Sequence, residues 1–102
     1  MIRTGIIGTM NPFSNALLQS LAHQHGTPLW VYDAATIRAR IAELRAFDTI
    51  RFAQKANSNI HLLRLMREQG VVVDAVSRGE ILRALAAGFT AELNDQGASG
   101  IV

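Results

Sequence analysis

The chain has 102 residues, enough for one small domain, and 49% of them are hydrophobic, enough for a core. Ten basic residues against eight acidic ones leave a net charge of +2, and Arg38, Arg40, Arg45, Arg51, Arg64, Arg67, Arg78 and Arg83 stand among acidic residues without forming a basic block. That balance gives no support to nucleic-acid or membrane-surface binding, and the absence of cysteine excludes disulfides and thiolate metal sites.

Residues 1–13 form a Gly-Asn-Pro-rich entry with room for a short strand at Gly5 to Gly8. They lack the sustained apolar stretch of a signal peptide, and no run in the chain approaches the roughly 18 apolar residues of a membrane span. Asn15 to His25 reads as a helix, with Leu17, Leu18, Leu21 and Ala22 at helical spacing. Ser14 is placed to cap it and Gly26 to end it. His23 and His25 are two residues apart, so a helix turns them to different sides, which suits surface histidines and not a shared metal.

Thr27-Pro28 marks a break, and Leu29 to Tyr32 follows as a short extended run. Asp33 is placed to cap a helix in which Ile37, Ile41 and Leu44 form an apolar stripe. A strand of about Ile50 to Lys55 comes next. Asn57 or Ser58 then caps a helix through Glu68, with Leu62, Leu63, Leu65 and Met66 as its buried side and Gly70 as its stop. His61 lies in the first turn of that helix and reads as solvent-facing.

Val71 to Val76 is the clearest buried strand, a β-branched run of the kind parallel sheets prefer, interrupted by Asp74. Ser77-Arg78-Gly79-Glu80 fits a capping box, from which Ile81, Leu82, Leu85 and Ala86 continue a helix to Gly88. Thr90 to Gly100 reads as a loop, and Ile101-Val102 as the opening of another strand. The whole is an α/β pattern with parallel strands, divided into an extension with one helix over 1–26 and strand-helix units over 27–102. Two or three parallel strands leave sheet edges and helix stripes uncovered, so the expectation is a piece of a larger fold, cut short as a strand begins.

Lys55 is the only lysine in the chain. It stands where a strand ends and a loop begins, the place where parallel α/β folds collect binding and catalytic groups. Strand alternation puts Ala53 and Lys55 on one face, where small Ala53 leaves room for a ligand. Phe52 and Gln54 fall on the other face, Phe52 packing on a helix and Gln54 pointing away from any site. An amine facing such a mouth is partly desolvated, which disfavours its charged form and frees it for imine chemistry with a carbonyl. An ordinary strand-end lysine reaching into water is the alternative. If the Val71 run pairs beside the lysine strand, about 4.8 Å away, Asp74 can reach Lys55; pairing with an arginine or capping the local turn are its other uses. For Glu80, capping is sufficient.

Phe52-Ala53-Gln54-Lys55-Ala56-Asn57-Ser58-Asn59 resembles the lysine segment of the pyridoxal-phosphate amino-acid decarboxylases built on the alanine-racemase-type barrel. Gly26 to Asp33, Val72 to Glu80 and Ala84 to Phe89 are similar to further segments of that family, in the same order. The diaminopimelate branch is the nearest, with the ornithine and arginine branches as cousins. Gln54 departs from the pattern, since many relatives carry a small apolar residue there. The resemblance covers about residues 24 to 90 and implies the N-terminal portion of a parallel (β/α)8 TIM-type barrel, incomplete here, amounting to about the first quarter of such an enzyme.

The same resemblance implies pyridoxal 5'-phosphate as cofactor, with Lys55 as its catalytic attachment point and Asp74 and Glu80 beside it, stabilising the protonated lysine. It implies a cytoplasmic, homodimeric enzyme acting on a small amino acid: decarboxylation of meso-2,6-diaminopimelate to L-lysine and carbon dioxide, the last step of lysine biosynthesis. An ornithine or arginine decarboxylase, a racemase of the same barrel class and a non-catalytic α/β module are the alternatives. The phosphate cradle, the acidic partner of the ring nitrogen and the substrate-carboxylate groups lie downstream in relatives. The 102 residues alone are therefore expected to be inactive.

Overall fold

The computed structural model describes residues 11–90 and 101. Its elements are helix α1 (Asn15–His25), helix α2 (Ala34–Glu43), strand β1 (Arg51–Ala53), a 3-10 turn (Gln54–Ala56), helix α3 (Ile60–Glu68), strand β2 (Val72–Asp74) and helix α4 (Arg78–Ala86). The chain divides into two compact units, one ending at Thr36 and one starting at Ile37. The expected strand at Gly5 to Gly8 and the expected loop over 91–100 lie outside the described residues.

In the first unit, α1 begins and ends where its sequence signals stand. Ser14 Oγ accepts from the Leu17 N–H at 3.1 Å, and Gly26 donates its N–H to the Ala22 carbonyl at 2.8 Å. His23 and His25 are both exposed. Leu29 to Tyr32 joins no sheet among the described residues. Asp33 caps α2, its Oδ2 accepting from the Thr36 N–H at 2.9 Å.

In the second unit, Ile41 is the buried member of the α2 stripe, while Leu44 falls past the helix end and is exposed. The α/β core of this unit is built from two consecutive strand-helix pieces. Strands β1 and β2 run parallel, pairing Arg51 with Val72, Phe52 with Val73 and Ala53 with Asp74. On the far side of β2, Val73 forms an isolated parallel bridge with Ile101, where the sequence reading places the opening of another strand. Phe52 and Val73 point to the helices, where Leu63, Val73, Ala84, Ala87 and Phe89 make one buried cluster lined by Phe52, Ile60, Met66 and Ile101. Val71 and Val72 are buried as well, as suits a parallel strand covered on both faces.

Helices α3 and α4 stop in the same way. After α3, Gly70 (φ 75°) donates to Arg67 O and Val71 to Met66 O; after α4, Gly88 (φ 97°) donates to Leu85 O and Phe89 to Ala84 O. Both are Schellman closures, in which a left-handed glycine turns the chain and the following apolar residue folds back onto the core. Val71 and Phe89 are those residues, and both are buried. A glycine followed by an apolar residue is thus what returns each helix to the sheet.

Three sequence expectations change here. Strand β1 ends at Ala53 and not at Lys55, because Gln54 to Ala56 closes a 3-10 turn, with Asn57 N–H donating to Gln54 O at 3.0 Å. The cap of α3 is Asn59, not Asn57 or Ser58: its Oδ1 accepts from His61 N–H at 2.9 Å and Leu62 N–H at 3.4 Å. Strand β2 ends at Asp74, leaving Val76 75% exposed, and α4 buries Ala84 while Ile81, Leu82 and Leu85 stay exposed. Small residues let α4 sit close to the sheet, so its larger apolar residues occupy the opposite flank.

Candidate functional site

The carboxyl ends of β1 and β2 and the start of α4 face the same short loop, residues 54–59. Polar side chains in that loop satisfy its backbone. Ser58 Oγ donates to Gln54 O at 3.1 Å, and Asn57 Oδ1 accepts from Asn59 N–H at 3.0 Å. Arg83 reaches across from α4 to Ser58 O at 3.5 Å. The loop is therefore tethered at both ends, to β1 by the chain and to α4 by side chains.

Lys55 sits in the middle of the 3-10 turn and is exposed, as are Ala53 and Ala56 around it. The alternation that placed Ala53 and Lys55 on one strand face does not apply past Ala53, since the turn intervenes. Burial by the described residues does not desolvate this amine, and among them Lys55 forms no ion pair. Small neighbours leave its approach open.

Asp74 is the cross-strand partner of Ala53 and therefore shares a face with Arg51 and Ala53. Its Oδ1 stands 3.6 Å from Arg51 Nη1, with the two side chains 42% and 52% exposed. In this structure Asp74 thus pairs with an arginine and not with Lys55. At 3.6 Å the contact is an ion pair but too long for a hydrogen bond, and Asp74 Oδ1 has no donor.

Glu80 occupies the first turn of α4. Ser77 Oγ accepts from the Glu80 N–H at 3.2 Å and donates to Glu80 Oε2 at 2.8 Å. The capping box is therefore closed through the hydroxyl, in place of the usual return of the carboxylate to the cap backbone. Glu80 Oε1 is buried without a donor. A capping role alone uses one carboxylate oxygen and leaves the other over.

Gln54 was the residue that sequence reasoning set aside. It is fully buried at 0% exposure, and its Nε2 donates to the Glu80 main-chain oxygen at 2.7 Å. Its Oε1 is buried without a partner. The signal that could have found it was its departure from an apolar pattern: a carboxamide next to the lysine, in a core-facing position, needs a polar reason.

Three buried acceptor oxygens, Gln54 Oε1 in the 3-10 turn, Asp74 Oδ1 at the end of β2 and Glu80 Oε1 in the first turn of α4, therefore lack donors. Such atoms suit groups that bring N–H or O–H, an ammonium above all. An amine with an open approach, small neighbours and acceptors on two adjoining elements fits an aldehyde cofactor held covalently by Lys55. The histidines take no part in it: His23, His25 and His61 are all exposed. Among the described residues no helix is long and apolar enough to cross a membrane.

Residues 34–93 match the family model "Pyridoxal-dependent decarboxylase, pyridoxal binding domain". The chain is 67% identical over 79 residues to a diaminopimelate decarboxylase of Streptomyces coelicolor, covering 78% of this chain and 18% of that protein. A diaminopimelate decarboxylase of Escherichia coli is 67% identical over 72 residues, covering 71% and 17%. A crystal structure of diaminopimelate decarboxylase superimposes with a TM-score of 0.73 at 63% identity, over 74% of this chain and 18% of that one. The chain thus spans about a fifth of the length of the curated relatives it matches.

Proposed function

This chain belongs to the pyridoxal-dependent decarboxylase family, within its pyridoxal-binding domain, and we propose that the protein carrying it decarboxylates meso-diaminopimelate to L-lysine and carbon dioxide. The observation that carries the substrate is the 67% identity to diaminopimelate decarboxylases of two distant bacteria. The fold we assign to the whole is a (β/α)8 barrel. Its support is the order in which strands are added: β2 joins β1 in parallel, and Ile101 joins the free side of β2 in parallel. Addition always on the same side, with a helix between, is how a barrel closes. The extension we assign to 1–26 precedes the barrel units of 27–102.

Lys55 is the residue we assign to hold the cofactor, through its Nζ. Asp74 and Glu80 would hold a proton on that nitrogen when it is free, using the oxygens that now lack donors. The bound pyridoxal ring supplies an electron sink for the electron pair left when carbon dioxide departs. Groups binding the phosphate and the substrate carboxylates belong to the rest of the protein, which we read as a cytoplasmic homodimer.

The test uses the full-length enzyme with meso-diaminopimelate, ornithine and arginine supplied in parallel, following carbon dioxide and L-lysine. Release from diaminopimelate alone, abolished in Lys55→Ala together with the absorbance of bound cofactor, is the expected result. Turnover of ornithine or arginine in its place overturns the substrate, and an active Lys55→Ala overturns the site.

A further inference from the structure

We propose that Gln54 is a positioning residue: its buried carboxamide clamps the first turn of α4 to the Lys55 turn and thereby sets where the Glu80 carboxylate stands relative to the lysine. The inference rests on the assignment of Lys55 and Glu80 made above and adds to it the part that fixes their separation.

The clamp is direct. Gln54 precedes Lys55 in the same 3-10 turn, and its Nε2 donates to Glu80 O at 2.7 Å. The acceptor is a main-chain atom, so the bond fixes the backbone of α4 whatever the Glu80 side chain does. A helical carbonyl has a second lone pair, so it accepts this bond without giving up its helix partner. The Glu80 side chain is tied independently at Oε2, by Ser77 Oγ at 2.8 Å. With backbone and one oxygen both held, Oε1 is left with a fixed position and no donor.

Packing does not account for this residue. Leucine would fill a similar volume at this buried position and leave no acceptor stranded, whereas Gln54 Oε1 is buried and unpartnered. A buried amide with one unmet oxygen is unfavourable against an apolar side chain of like shape. The gain from the glutamine lies in the bond across to α4, at the one turn of that helix that carries an acid.

The experiment uses the full-length protein, freed of cofactor, and follows acetylation of Lys55 by an N-hydroxysuccinimide ester, read on the Lys55 peptide by mass spectrometry. Gln54→Leu and Glu80→Gln are each expected to raise the labelling rate about fivefold, as the carboxylate on the first turn of α4 is moved or removed. The double variant is expected to label no faster than Glu80→Gln alone, because the glutamine acts only through the glutamate. An effect of Glu80→Gln without one of Gln54→Leu, or additive effects in the double variant, overturns the inference and leaves the site assignment standing. No effect of Glu80→Gln, with Lys55→Ala still binding pyridoxal phosphate, overturns both. Gln54→Met serves where Gln54→Leu fails to fold; failure of both to fold makes the glutamine structural and overturns the inference.

Discussion

Gly88 offers a sharp test of the closure that returns α4 to the sheet. A Cβ built on Gly88 would stand 2.9 Å from Arg67 Nε and 3.1 Å from Arg67 Cζ, and its φ of 97° is one that side chains rarely adopt. Gly70 makes the same closure after α3, at φ 75°, but a Cβ there meets only Arg45 Nη1, at 3.9 Å. Gly70→Ala therefore costs the left-handed conformation alone, about 1–2 kcal/mol. Gly88→Ala adds the displacement of Arg67, whose Nε donates to Ala87 O at 3.1 Å, and with it roughly 1 kcal/mol of a charge-assisted bond, for a total of about 2–3 kcal/mol. Urea unfolding of the full-length protein should rank the two alanine variants in that order. In an Arg67→Ala background the gap between them should shrink to a few tenths of a kcal/mol, as no guanidinium remains to be displaced. Equal costs in the native background, or a gap that survives removal of Arg67, would refute the reasoning.

Other expectations follow from the same contacts. Ser77→Ala removes both the cap of α4 and the donor to Glu80 Oε2, and should cost about 1 kcal/mol of stability and lower kcat, whereas Ser77→Asp should recover the stability but not the rate. Arg51→Ala breaks an ion pair whose members are both about half exposed, so urea unfolding should change by less than about 0.5 kcal/mol. Asn59→Ala should cost about 1 kcal/mol, since its Oδ1 caps α3, while Asn57→Ala should cost less by the same measurement.

The parts of the fold that the sequence showed well are those written in local chemistry. Ser14, Asp33 and Ser77 cap the helices they precede, and Gly26, Gly70 and Gly88 end them. Each is a bond between neighbours in the chain, so spacing alone locates it. What spacing could not locate is where an element ends for tertiary reasons. β1 stops at Ala53 because the chain must turn to bring Gln54 against α4, and nothing within residues 50–55 reports on a partner 26 positions away. The burial of α4 was not legible from spacing either. Its large apolar residues mark an amphipathic helix, yet Ala84 is the residue that touches the core, because close approach to the sheet selects for small side chains.

The site inherits its acidity from the way parallel units are capped. In each unit the strand's carboxyl end and the next helix's amino end lie together, and exposed N–H groups at a helix start favour negative charge nearby. Asn59 satisfies α3 with a neutral amide, whereas Ser77 and Glu80 together satisfy α4 and leave a carboxylate oxygen over. Asp74, at the end of β2, leaves another. The surplus of acceptors therefore belongs to the β2-α4 piece, while the lysine amine is on the β1-α3 piece. The lysine on the β1 turn and the acids at the end of β2 and the start of α4 keep one spacing only if the two strand-helix pieces keep their register. The ladder fixes that register at one end, pairing Ala53 with Asp74, and the Gln54 bond to Glu80 fixes it at the other. Loss of either tie should change the spacing between the Lys55 turn and the start of α4 without unfolding α4, whose cap and closure are its own.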